Sequence, residues 1–155
     1  MNDKWLWARR ALTLVVMAGG AAAALGAAPA REPLPSVVVY KSRLCGCCAK
    51  WVDHMRAAGF RVVVRDVDDL LGIEARYGVP KGLTSCHTAL AGGYLVIGHV
   101  PADLVQRLLQ ERPAVAGITV PGMPADAPGM DAGTGGPYDV LVFDRDGTSR
   151  VYARR

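Results

Sequence analysis

Ser36-Val37-Val38-Val39-Tyr40-Lys41-Ser42-Arg43-Leu44-Cys45-Gly46-Cys47-Cys48 runs from a β-branched apolar segment straight into three thiols within four residues. The run from Ser36 to Tyr40 predicts a buried strand, and a helix is expected from Cys45 to Ala58, closed by Gly59. Working outward, Phe60 to Val67 reads as a second strand. Asp68 or Asp69 can cap a short helix from Leu70 to Tyr77, stopped by Gly78 and Pro80. Thr88 to Ala91 and Tyr94 to Val100 flank Gly92-Gly93, a two-residue hairpin signal. Pro101 opens a helix through Glu111, with Leu104, Val105 and Leu108 at helical spacing. Residues 113–137, rich in Pro, Gly and Ala, are expected to be irregular. Tyr138 to Asp144 and Ser149 to Ala153 bracket Asp144-Arg145-Asp146-Gly147 as a terminal hairpin.

The order β-α-β-α-β-β-α predicts an α/β fold of thioredoxin-like plan: a mixed sheet flanked by helices, with an added C-terminal β-hairpin. In that plan reactive cysteines sit at a helix N-terminus, where the dipole and free N–H groups favour thiolate. Gly78-Val79-Pro80 falls where such folds often carry a cis-proline.

The N-terminus reads as a secretory signal spanning residues 1–30. Lys4, Arg9 and Arg10 precede an Ala-rich apolar stretch to about Leu25, and Ala28-Pro29-Ala30 gives an A-x-A cleavage pattern. The stretch is Gly- and Ala-rich, a poor bilayer span. Residues 31–35 form a short linker and 36–155 one domain. Removing the leader's three basic residues and Asp3 leaves 15 basic and 13 acidic residues, a charge of +2. No basic run interleaves with aromatics, so nucleic-acid binding is unsupported. At 51% hydrophobic residues the chain can build a core without cysteine staples. The reading is an exported protein with no membrane contact after cleavage.

Cys45 and Cys48 form C-x-x-C, so a dithiol oxidoreductase is the simplest reading. Cys47 complicates it, because a third thiol invites scrambled pairing. A mononuclear zinc site of Cys45, Cys48, Cys86 and a histidine also leaves Cys47 over. Adjacent helical side chains diverge by about 100°, so Cys47 and Cys48 suit bridging different ions better than chelating one. That arrangement points to a polynuclear cluster of a thiophilic ion, Cu(I) above all.

The fourth cysteine, Cys86, precedes His87 on a loop entering a strand, and His87 is read as a ligand. His99 is either a ligand or a helix-start residue. His54 lies about 10 Å along the helix from Cys47, too far to share an ion. Met55 belongs to a core stripe and Trp51 packs over the site. Two Pro-Gly-Met turns present Met123 and Met130, thioethers that either bind Cu(I) or are ordinary loop residues.

Tyr40-Lys41-Ser42, Cys45-Gly46-Cys47-Cys48, Lys50-Trp51-Val52, Asp66-Val67-Asp68-Asp69, Gly78-Val79-Pro80, Ser85-Cys86-His87-Thr88, Gly98-His99-Val100-Pro101 and both Pro-Gly-Met turns together resemble the CopG-like exported copper-resistance proteins. The resemblance runs from about Val37 to Tyr152. It implies a thioredoxin-like fold, a periplasmic location, and a cysteine-bridged multi-copper cluster on Cys45, Cys47, Cys48 and Cys86. It also suggests copper redox cycling, Cu(I)/Cu(II), or copper handling with a periplasmic partner that exchanges copper or electrons. Where members often carry an acidic residue before Gly-His-Val-Pro, this chain has Ile97.

Overall fold

Val37, Val39 and Lys41 are buried on one face of the first strand, while Val38 and Tyr40 turn to the other. The computed structural model describes residues 33–130, 132–133 and 136–155. The expected leader and the first two linker residues lie outside the described residues. Within them the elements are β1 (Val37–Lys41), α1 (Gly46–Ala57), β2 (Val62–Asp66), α2 (Leu70–Tyr77), β3 (His87–Ala91), β4 (Tyr94–Ile97), α3 (Ala102–Glu111), β5 (Gly117–Thr119), β6 (Asp139–Phe143) and β7 (Ser149–Arg154).

The strands form one mixed sheet in the order β2-β1-β3-β4-β5-β6-β7. Strands β1 and β2 run parallel, as do β4 and β5, and the other neighbours are antiparallel. The predicted α/β class and the terminal β6–β7 hairpin are both present.

Helices α1 and α3 cover one face. Trp51, Val52, Met55, Leu104, Val105 and Leu108 pack there with Val37, Val39, Val96 and Ile118. Met55 is core, as its spacing predicts. On the opposite face Leu95, Ile97 and Phe143 form a smaller cluster with Tyr77, Val79 and Leu83 beside it. Ile97 is fully buried in that cluster, a position where a charge would be costly.

Local chemistry sets the boundaries. Asp69 caps α2 by accepting from the Gly72 N–H at 2.8 Å, and Gly78 ends it in the left-handed conformation. Cys45 is the N-cap of α1, so that helix begins one residue later than expected. Pro101 is likewise the N-cap of α3, not its first helical residue, and makes no side-chain cap. The Ala102 N–H donates instead to His54 Nε2 at 3.0 Å.

Further expectations change, among them the strand expected over Tyr94–Val100, which ends at Ile97. Residues 113–137 are not wholly irregular, because Gly117–Thr119 forms β5 between β4 and β6. A Cβ at Gly117 would lie 2.4 Å from the Leu95 carbonyl oxygen and 2.7 Å from Phe143 Cζ, so the glycine permits the close approach that builds the strand. The second predicted strand is shorter, starting at Val62. The Val79–Pro80 bond is trans.

This topology gathers four segments at one edge. Lys41, at the end of β1, pairs with His87 at the start of antiparallel β3. Strand β4 ends opposite Thr88, and parallel β5 ends opposite Ile97. The loop after β1, the residue before β3, the turn after β4 and the chain after β5 therefore meet.

Candidate metal centre

Helix α1 contributes the first sulfurs. Cys45 Sγ accepts from the Cys48 N–H at 3.3 Å, which places Cys47 and Cys48 in the first helical turn. Cys45 and Cys48 form a disulfide, while Cys47 and Cys86 are free and half-buried. Cys47 Sγ is 3.5 Å from Cys45 Sγ. Cys86 arrives from the opposite side, and its carbonyl oxygen lies 3.4 Å from Cys48 Sγ. The four sulfurs all lie within 4.8 Å of one another.

Cys86 also belongs to a second group. Its Sγ is 3.4 Å from His87 Nδ1 and 3.0 Å from His99 Nε2, and these three donor atoms fall within the same 4.8 Å limit. One sulfur is thus common to a thiol set and an imidazole set.

Both imidazoles are positioned by the fold. His99 Nδ1–H donates to the Pro128 carbonyl at 2.7 Å, which assigns the proton to Nδ1 and leaves Nε2 facing Cys86 as a lone-pair donor. His87 is fully buried, its ring 4.4 Å from that of Trp51 and edge-on to His99 at 5.0 Å. Its Nε2 is buried without a hydrogen-bond partner of acceptable geometry.

Burial, then neighbouring His99, push His87 down to about 3, with the Gly98 backbone opposing and Lys41 adding to the shift. Burial also lowers His99, against the Pro128 hydrogen bond. Both rings are therefore held neutral, the form that ligates metals. Burial pushes the Cys86 thiol up to about 11, and neighbouring Cys47 adds to this. A thiol so disposed becomes a thiolate when a metal ion displaces its proton.

The second Pro-Gly-Met turn supports the site through its backbone. Besides the Pro128 carbonyl on His99, Gly129 lies against α1: a Cβ there would sit 2.8 Å from Trp51 N and 2.9 Å from the Cys47 carbonyl oxygen. Met130 packs against the main core, and Met123 is half-exposed on the wall of a cavity beside Cys86. Trp51 does pack over the site, and its Nε1–H also donates to the Val100 carbonyl at 2.8 Å. His54 anchors α3 through Ala102. Sequence reading missed the Pro128 carbonyl and Glu74. Glu74 Oε1 accepts from Ser85 N–H at 3.4 Å and Thr88 Oγ1–H at 3.2 Å, on either side of Cys86-His87. A lone glutamate on a short helix rich in apolar residues, Leu70, Leu71 and Ile73 among them, gives no sign of this, and a backbone carbonyl has no sequence signature.

The donor set suits a soft ion: four sulfurs within 4.8 Å of one another and two neutral imidazoles that face the Cys86 sulfur. Fold and site define an α/β protein whose converging strand ends carry a cysteine–histidine cluster of metal-ligand dimensions. Two solved structures are similar to the chain over most of their length. "Copper resistance protein copG, Form 1" is 39% identical, covering 80% of this chain and 98% of its own, with a TM-score of 0.73. Form 2 is also 39% identical, covering 80% and 99%, with a TM-score of 0.74. The chain belongs to the CopG copper-resistance protein family, as its motifs indicate. Residues 83–130, from just before Cys86 to Met130, match a family described as a protein of unknown function, DUF411. No curated protein matches.

Proposed function

We propose that this is an exported, periplasmic copper-binding protein of copper resistance. It holds several copper ions in a cluster bridged by Cys45, Cys47, Cys48 and Cys86 and completed by His87 and His99. The observation that carries the reading is Cys86, whose sulfur groups with the three other cysteine sulfurs on one side and two oriented imidazoles on the other. Bound copper would supply one-electron chemistry or a transferable ion. The chain's own residues hold the imidazoles neutral, release the cysteine protons and close the site under Trp51. Met123 and Met130, candidate thioether ligands by sequence, stand at the cavity beside Cys86 and against the core. The β2-β1-β3-β4 order, with cysteines opening the helix after β1, supports a thioredoxin-like ancestry for the scaffold. Among the described residues no helix is long and apolar enough to cross a membrane.

The Cys45–Cys48 disulfide bears directly on this reading, because two sulfurs joined to each other are not thiolate ligands. Cluster assembly requires its two-electron reduction. The test is bound copper per monomer after reduction and anaerobic reconstitution with Cu(I). More than one ion, reduced by Cys47→Ser, supports the cluster; at most one, unchanged in Cys47→Ser, contradicts it.

The disulfide also favours a second reading, a thiol–disulfide oxidoreductase using Cys45 and Cys48 with Cys45 at the helix N-cap. Reduction of a model disulfide, lost in Cys45→Ser and accompanied by no copper affinity, would select it. A passive copper chaperone shares the binding site and differs only in kinetics.

A further inference from the structure

Beside Cys86 lies a cavity of about 470 Å³ that the cluster does not require, lined by Leu70, Leu71, Glu74, Ser85, Cys86 and Met123 among others. Glu74 is only 2% exposed. Its Oε1 is committed to Ser85 and Thr88, whereas its Oε2 is buried with no hydrogen-bond partner. An unsatisfied buried carboxylate oxygen costs free energy that an approaching cation offsets.

Met123, which also lines the cavity, is 45% exposed and in a left-handed backbone conformation (φ +49°). Its thioether is a neutral, soft donor that does not titrate. Leu70 and Leu71 add apolar wall beside the small residues Thr84, Ser85 and Gly122, and a lining so poor in oxygen ligands disfavours strongly hydrated hard cations such as Mg²⁺.

We propose that this cavity is the vestibule through which Cu(I) reaches the cluster, with Met123 as a transient first ligand and Glu74 as the anionic wall that draws the ion toward Cys86. The inference rests on the copper-binding reading and adds a route to it. The ion remains Cu(I) throughout. It leaves a soluble carrier, exchanges onto the Met123 thioether and then onto Cys86 sulfur. The carrier is released, and the Cys86 proton departs to solvent through the open cavity. Ligand exchange along a graded series of soft donors needs no free aqueous ion.

The test uses the reduced full chain, mixed anaerobically in a stopped-flow instrument with Cu(I) bound to a soluble chelator. Final copper per monomer is measured on the same samples. Glu74→Gln keeps an oxygen for Ser85 and Thr88 but removes the charge, and it should slow loading by about tenfold, the lower range for charge-lined clefts. Met123→Leu, at an exposed site where folding is not at stake, should slow loading several-fold. Final stoichiometry should stay at the wild-type value in both. Wild-type loading rates in both variants would overturn the vestibule. So would a lower final stoichiometry in Met123→Leu, which would make Met123 a resident ligand. A wild-type chain that takes up no copper would defeat the copper reading itself.

Discussion

The two halves of the centre are built differently. The α1 half presents Cys45, Cys47 and Cys48 on the first turn of a helix, half-exposed apart from buried Cys48, with a disulfide already joining two of them. The strand-end half presents Cys86, His87 and His99 with both rings fully buried, held by the Pro128 carbonyl, the Trp51 ring and the flanking bonds to Glu74. One half can change its covalent state; the other is fixed before any ion arrives. Such a site joins a disulfide-bearing set of sulfurs to a preorganised set of donors, and preorganisation limits how far ligands must move when charge or coordination changes.

The largest expected effect comes from the residue that both halves share. Cys86→Ser should cost more copper affinity than the roughly 10–100-fold carried by outer hydrogen-bond partners, measured by chelator competition. Cys45→Ser should leave a weaker site on the Cys86–His87–His99 side. Equal losses in the two variants would break the distinction between halves.

Next is Gly129→Ala, which places a methyl group against Trp51 N and the Cys47 carbonyl at a positive φ of 87°. Overpacking and left-handed strain together should cost about 3 kcal/mol, read as a lower denaturation midpoint. An unaltered midpoint would show that the turn does not brace α1.

Trp51→Phe keeps the ring against His87 but leaves the buried Val100 carbonyl without its donor. The expected cost is about 1–2 kcal/mol of stability and about tenfold in copper affinity. Affinity loss without stability loss would place Trp51's effect in the site alone.

The smallest effect is a pH dependence at the α1–α3 contact, remote from the cluster. Burial lowers the pKa of His54 from its ordinary 6.5, with Asp103 opposing. A lowered histidine pKa means the folded state prefers the neutral ring. The stability it contributes is full above about pH 6.5 and is lost as pH falls through the folded pKa. Between pH 7 and 5, His54→Gln should therefore lose less stability than the wild type, measured by denaturation at each pH. An unchanged slope would contradict the assignment.

The two halves also differed in how far sequence could describe them. Cys45, Cys47 and Cys48 are legible because their spacing and the preceding Val37–Val39 run fix a strand-to-helix turn locally. Cys86-His87 was legible as a strand-start pair. What holds His99 was not, since it depends on the carbonyl of Pro128, twenty-nine residues away. Likewise β5 was hidden in a Pro/Gly/Ala-rich stretch, because Gly117 becomes strand only through its fit against Leu95 and Phe143. Helix geometry shows that His54 lies too far along α1 to share an ion with Cys47, but its bond to Ala102 could not be read. Interactions within one turn or strand are encoded locally, whereas those between distant loops are encoded only in the assembled fold.

The central claim is that both halves bind copper together. X-ray absorption at the copper edge, on reduced protein reconstituted anaerobically with Cu(I), tests this most directly. The account predicts sulfur-dominated coordination with an imidazole contribution and a short copper–copper distance that is lost in Cys47→Ser. A spectrum with no copper–copper scattering in the wild-type protein would contradict it.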